Sequence, residues 1–178
     1  MLVLIGASAS GKTELAKRLI ANHGFLKTIT YTTRPKRPNE VNGVDYHFID
    51  YDAFLAKQRE SQFLETTHYH GHHYGTAFKD ALSKRVVIVD IDGANAIVSA
   101  MPDRVVVVYV ETDDIVRKLR MLARGDSQAQ VESRLHHDAS LFDPARLTRV
   151  DRIVHNNQEQ LADLAGNIAM FYHNKLGL

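Results

Sequence analysis

The sequence predicts an α/β protein with a parallel sheet, helices on both faces and a β-rich insert. Three observations predict this. A glycine-rich turn, Gly6-Ala7-Ser8-Ala9-Ser10-Gly11-Lys12-Thr13, joins an apolar run (Leu2–Ile5) to an amphipathic stretch (Glu14–Ala21). Apolar, β-branched runs at Val86–Val89 and Val105–Val110 have the near-continuous hydrophobicity of strands buried on both faces. Between 34 and 76 the strand–helix rhythm gives way to short strand-like pieces and turn signals.

The turn fits G-x-x-x-x-G-K-[ST], the P-loop pattern, and its strand–loop–helix flanks supply the context the motif requires. Its glycines let the backbone curl so that successive N–H groups face a phosphate, and the helix N-terminus adds partial positive charge. Lys12 can reach the β- and γ-phosphates of a nucleoside triphosphate, and the Thr13 hydroxyl can reach Mg²⁺.

Leu15, Leu19 and Ile20 mark the inner face of the first helix, and Gly24 its stop. Thr28–Tyr31 reads as the second strand. The following loop carries Arg34, Lys36 and Arg37 between Pro35 and Pro38, a cluster suited to an anion. Asn42-Gly43 is a turn, Tyr46–Ile49 a strand, and Asp50 caps a short helix through Phe54 and Leu55. Gln62–Thr67 and His70–Thr76 read as two strands around a turn. Of the ten histidines, His68, His70, His72 and His73 fall here, and Gly71 breaks their alternation; they read as exposed hairpin residues rather than as a metal site.

Asp90 and Asp92 follow Val86–Val89 and would point to one side if the strand continued, at the carboxyl end where α/β sheets bind ligands. An acid ending an apolar strand in a P-loop protein is also the pattern that holds Mg²⁺. After Val105–Val110, Thr112 is expected to cap a helix running through Ile115, Leu119 and Leu122 and carrying Arg117, Lys118, Arg120 and Arg124. A second helix, Gln128–His137, carries Arg134. Arg152–His155 is a fifth core strand, and Leu161 to Phe171 an amphipathic closing helix.

With 178 residues, 44% hydrophobic and 24% charged, the chain has the composition of a soluble domain. A net charge of +1 gives no general case for nucleic acid or membrane as a partner. The absence of cysteine excludes disulfides and thiol chemistry. No apolar run reaches the ~18 residues of a membrane span, and no secretory pattern is present, so the expected location is cytoplasmic.

Taken in order, these motifs resemble the guanylate kinase family over nearly the whole chain. Thr32-Thr33-Arg34-Pro35-Lys36-Arg37-Pro38-Asn39-Glu40-Val41-Asn42-Gly43-Val44-Asp45-Tyr46-His47-Phe48 is similar to its TTR-x-P-R-x-G-E-x-x-G-x-D-Y-x-F signature. Phe63-Leu64-Glu65, Gly71–Thr76, Asp90-Ile91-Asp92, the arginines from Arg120 to Arg134 and Asp151–Asn156 match further segments. The chain departs from the family at Asn39, at Thr66, at Gly93-Ala94-Asn95 and within the P-loop, which marks a divergent member.

The resemblance implies a P-loop three-layer α/β/α fold with a five-stranded parallel sheet, in which 1–33 and 77–178 form the core, 34–76 a GMP-binding insert and 120–137 a helical lid. It implies transfer of phosphate from ATP to GMP with Mg²⁺, in a monomer or homodimer. Arg34, Arg37, Tyr46 and Tyr74 would hold the GMP phosphate. Thr30, Thr76 and Glu65 would read guanine, and Asp92 would face GMP while Asp90 and Thr13 served the metal. Arg120, Arg124 and Arg134, with Lys12, would surround the transferring phosphate. Asn156 would lie near adenine, completing an ATP site that runs from Gly6 to Thr13. A different phosphorylated acceptor, or a silent protein-binding module, are the alternatives; the intact Gly11, Lys12 and Thr13 speak against the second.

Overall fold

The computed structural model describes every residue except His70 and Glu159, so the part of the histidine cluster at His70 lies outside the described residues. The first strand, β1 (Leu2–Ile5), lies at the centre of a five-stranded parallel sheet. Its neighbours are β7 (Arg85–Ile88) and β8 (Val106–Glu111); β2 (Leu26–Lys27) and β9 (Arg152–His155) form the edges, in the order β2-β7-β1-β8-β9. Alternation along the buried strands divides the core in two. Leu2, Leu4, Val106, Val108 and Val110 face α1 (Lys12–His23) and α6 (Leu161–Leu176), while Val3, Ile5, Val105, Val107 and Tyr109 face α3 (Ile91–Ala100). Helices therefore cover both faces of the sheet, and the P-loop leaves the carboxyl end of its central strand, where such sheets open a crevice.

A second sheet stands apart from the first. It contains β3 (Tyr31–Thr32), β4 (His47–Phe48), β5 (Phe63–Tyr69) and β6 (His72–Ala77), in the order β4-β3-β6-β5. The helix α2 (Tyr51–Arg59), capped by Asp50 accepting from Ala53 N–H, closes a small core of Tyr31, Phe54, Phe63 and Ala77. The helices α4 (Asp114–Ala123) and α5 (Gln128–Leu141) follow β8 and pack against each other.

Four local expectations are corrected. Thr28–Tyr31 is not one strand: Leu26–Lys27 pairs with β7, and the chain then crosses to the second sheet at Tyr31. The strand before Asp90 ends at Ile88, so Asp90 and Asp92 do not share a strand face; Asp90 caps α3 by accepting from Gly93 N–H, and Asp92 sits in its first turn. Thr112 is not the cap of α4, a position held by Asp113; its buried hydroxyl donates to backbone carbonyls instead. Finally, Ile115, Leu119 and Leu122 lie exposed, and α4 buries Arg117 and Met121.

Candidate active site

The P-loop is shaped by donors that take up its carbonyl groups. The Lys12 ammonium donates to the Gly6 and Ala7 carbonyls at 2.6 and 2.7 Å. Arg117 Nε donates to Ser8 O at 2.9 Å and Arg120 Nη1 to Ala9 O at 3.3 Å. Ser10 O accepts from Asn156 Nδ2 at 2.7 Å and from the Thr112 hydroxyl at 3.1 Å. With the carbonyls turned outward, most of the loop's N–H groups are left for an anion, the arrangement of a phosphate-binding nest. Gly11 is required here on two counts: its φ is +96°, and a Cβ would meet Asn156 Nδ2 at 2.1 Å. Burial pulls the Lys12 ammonium down to about 8, with Asp138 pulling up and Arg117 down.

A cavity of about 300 Å³ opens between this loop and the second sheet. It brings together Ser8 and Lys12 from the P-loop side with Thr30, Tyr46, Glu65, Tyr74 and Asp90. Thr67, Tyr69, Ile88, Val89 and Phe142, none of them expected at the site from the sequence, complete the wall. The exposure of Ile88 follows from this: β7 ends where the cavity begins.

Glu65 is the chemically distinctive group. Its residue is 5% exposed, its partner across the hairpin is Thr76, and neither Glu65 Oε2 nor Thr76 Oγ1 has a hydrogen-bond partner among the described residues. Burial pushes the Glu65 carboxyl up to about 7; the nearby Thr76 hydroxyl pulls it back without an aligned hydrogen bond, and Asp90 adds to the rise. A buried carboxylate oxygen left without a donor is costly unless something arrives to supply one. Asp90 lies beside it, with Thr67 donating to Oδ2 and Gly93 N–H to Oδ1.

Arg34 is held by Glu40 at 2.6 Å, which raises the guanidinium's affinity for its proton and lowers that of the carboxylate. Its guanidinium lies 5.5 Å from the centre of the Tyr46 ring, and Tyr46 packs edge-on against Tyr74. Arg37 is exposed, and its backbone N–H also donates to Glu40.

Several expected residues stand elsewhere. Asp92 is largely exposed and pairs with Arg146 at 3.2 Å, outside the cavity. Asn156 is 2% exposed and spends its amide on the P-loop, so no edge of its side chain is presented to a base. Arg120 reaches the P-loop rim, where burial lowers its proton affinity. Arg124 is tied to Asp126 at 2.6 Å and Arg134 is half-buried on α5.

The sequence shows Arg117 only as one cation among several on its helix and does not mark Asp138; the two form a buried pair at 2.5 Å that joins α4 to α5 beside Ser8. A signal was present. Asp138 follows Val131 by seven residues on α5, which places an acid on that helix's buried face, where it needs a partner.

No group of three His, Asp or Glu side chains among the described residues could hold a metal ion by itself. The Thr13 hydroxyl is exposed at the start of α1, and Asp90 has lone pairs to spare on the cavity wall. This set fits an ion carried in chiefly by phosphates and water, as Mg²⁺ commonly is.

Comparison with known proteins agrees with this geometry. The family model described as guanylate kinase matches residues 1–167. A guanylate kinase of Hyphomonas neptunium is 37% identical over 147 residues, covering 78% of this chain and 68% of its own. One from Thermus thermophilus is 35% identical over 156 residues, covering 80% and 71%. Among solved structures, a guanylate kinase from Anaplasma phagocytophilum superposes with a TM-score of 0.71 at 22% identity, covering 99% of this chain and 85% of that one, a likeness of fold.

Proposed function

The chain belongs to the guanylate kinase family, and we propose that the cavity between P-loop and second sheet is where it passes the γ-phosphate of ATP to GMP, giving ADP and GDP. The observation that carries the reading is Glu65: a buried carboxylate with a free oxygen, in the cavity that Lys12 also lines. Guanine offers N1–H and its 2-amino group as adjacent donors to such a carboxylate. Adenine has no such pair and would leave the acid buried and unpaired, a penalty on the order of 1–3 kcal/mol. Thr30, on the cavity wall, flanks the base; Thr76 is fully buried beside Glu65 and is not among the cavity's lining residues, so it acts on the base through that carboxylate.

Tyr46 and Tyr74, with Arg34 fixed on Glu40, bind the GMP phosphate, and Arg37 joins them from the exposed loop. The second sheet, within 34–76 and its flanking strand residues, is thus the acceptor-binding part. Phosphoryl transfer asks for in-line placement and for positive charge around the equatorial oxygens, with little covalent chemistry from the protein. The amides of residues 6–13 orient the triphosphate. Lys12 supplies charge once it releases the Gly6 and Ala7 carbonyls; Arg120 already stands at the P-loop on α4, and Arg124 and Arg134 converge with it on the transferring phosphate as α5 and the turn before it settle over the cleft. No general base is required, because the acceptor phosphate is itself nucleophilic near neutral pH. Thr13 and Asp90 are the residues that would hold Mg²⁺ arriving with ATP, which would supply positive charge to the phosphates. With Asp92 turned outward, Asp90 takes over the acceptor-facing role as well. Asn156 serves the ATP site by shaping the P-loop rather than by touching adenine.

No helix among the described residues is long and apolar enough to cross a membrane, and a cytoplasmic monomer or homodimer, with no nucleic-acid or membrane partner, completes the proposal. The test is coupled ADP release with ATP and Mg²⁺ against GMP, dGMP, AMP, UMP and CMP. Turnover confined to the guanine nucleotides, lost in Lys12→Ala and impaired in Glu65→Ala, is expected. ATP binding without turnover on any of the five acceptors would sink it.

A further inference from the structure

The Asp138 carboxylate occupies an unusual position. Its Oδ2 accepts from Ser8 N–H at 2.7 Å and from Arg117 Nη2 at 2.5 Å. The other oxygen, Oδ1, is buried without a partner among the described residues. Arg117 is fixed by its remaining arms, with Nε on Ser8 O at 2.9 Å and Nη1 on Asp114 at 2.6 Å. Nη2 is therefore held in place at the mouth of the P-loop, aimed at the same spot as a loop amide. Only the occupant of that spot comes from the lid helix α5.

We propose that the spot held by Asp138 Oδ2 is a phosphate-oxygen site, that Arg117 is a further residue contacting the triphosphate of ATP, and that Asp138 is the resting counter-ion which ATP displaces. A guanidinium and a backbone N–H converging on one oxygen anion is the donor set that also recognises phosphate. Both donors are engaged by Oδ2, but the carboxylate itself is held at a cost, since its Oδ1 is buried without a partner among the described residues, so an anion with more charge that leaves no oxygen orphaned replaces it favourably. A cavity of about 170 Å³ adjoins the pair, lined by Ala7, Arg117, Asp138 and Phe142 together with two further acids, Glu111 and Asp114. Because Asp138 rides on α5, its release removes that helix's hydrogen bond to the P-loop at Ser8 in the same event that seats the nucleotide. Lys12 is close enough for both charges to bear on its proton affinity.

The inference rests on the phosphotransfer reading but fails separately from it. Titration calorimetry with ATP, ADP and adenosine, in Mg²⁺, would compare wild type with Asp138→Asn, Asp138→Ala and the double variant Arg117→Met/Asp138→Ala. Removing the competing anion is expected to tighten ATP binding about tenfold, near 1.4 kcal/mol, with adenosine unchanged. The double variant is expected to lose that gain. A merely structural role gives the opposite sign, because breaking a buried pair weakens the site. Folded Asp138 variants that bind ATP no more tightly than wild type would overturn the proposal, as would a double variant that keeps the gain. If the single variants melt below assay temperature, Arg117→Lys decides: it keeps the charge but loses the fork, so ATP binding weakens about tenfold while adenosine binding holds, and unchanged ATP binding there overturns the proposal. Wild type that binds neither ATP nor ADP would defeat the P-loop reading itself.

Discussion

Replacing Glu65 by Gln separates what this residue does for guanine from what it costs the empty protein. In the folded chain burial raises its carboxyl from 4.5 to about 7. A raised carboxyl means that the native state holds a proton more tightly than the unfolded one. Between pH 4.5 and 7 stability therefore falls as pH rises, and above pH 7 the whole cost is present. At about 1.4 kcal/mol per pH unit the cost at pH 8 approaches about 3 kcal/mol, and at pH 5 it is under about 1 kcal/mol. Glutamine keeps the shape and carries no charge to bury. The Glu65→Gln protein should then melt above wild type at pH 8 by up to about 6–12 °C, at 2–4 °C per kcal/mol for a chain of this size. The difference should shrink toward pH 5. Any fixed effect of the amide on packing is common to all pH values and drops out of the comparison. Scanning calorimetry of both proteins from pH 5 to 8 measures it directly, and a melting difference that does not change with pH would refute the reasoning. Guanosine, which has no titrating phosphate, gives the complement: it needs the ionised acid, so its affinity for wild type should rise from pH 5 to 7 and level off above.

Three further outcomes follow from the same geometry. Lys12→Met should lower kcat about 10³-fold or more, because a charge aimed at the transferring phosphate is lost, while guanosine binding by calorimetry stays within twofold, about 0.4 kcal/mol. Gly11→Ala should abolish ATP binding and lower the melting temperature; adding Asn156→Ala removes the 2.1 Å clash but not the strain of φ +96°, so melting recovers in part and ATP binding stays weak. Phe54→Ala should cost about 3–5 kcal/mol locally in the small aromatic core, and steady-state kinetics should show a raised KM for GMP with the KM for ATP little changed.

The fold was legible where chemistry and periodicity fall in one continuous stretch. The P-loop, the runs of β7 and β8 and the Asp50 cap each declare themselves within about ten residues. What failed depended on neighbours distant in the chain. Nothing in the hydropathy of Thr28–Tyr31 tells that the backbone changes sheets between Lys27 and Tyr31. Periodicity made α4 amphipathic but could not say which face is inward: Ile115, Leu119 and Leu122 form the apolar stripe, yet α4 buries the opposite side because the P-loop and α5 lie there. Of the proposed acceptor site, Thr30, Tyr46, Glu65 and Tyr74 were legible only through the resemblance to the family's segments, and they meet in one cavity. Asp92 was not, because the outcome turned on one strand ending at Ile88, two residues before the acids.

The same distant contacts explain why a loop of small residues becomes a rigid anion site at all. A short chain of Gly, Ala and Ser has little side-chain packing to hold its shape, and ordering it costs roughly 1–2 kcal/mol per residue in backbone entropy. Here that cost is opposed from four directions: Lys12 within the loop's own helix, Arg117 and Arg120 on α4, Thr112 at the end of β8, and Asn156 after β9. All of them donate to carbonyls, so each fixes the loop by its acceptors and leaves the donors facing inward. Two of the anchors are arginines on one helix, so the P-loop and α4 hold a common position; α5 packs against α4, and its Asp138 reaches the P-loop at Ser8 N–H. The consequence is an asymmetry within the lid. The α4 half is joined to the P-loop directly, through Arg117 on Ser8 O and Arg120 on Ala9 O. The α5 half, carrying Arg134, meets the P-loop through the Asp138 carboxylate as well as packing on α4, and on the proposal above ATP brings the charge that competes with that carboxylate.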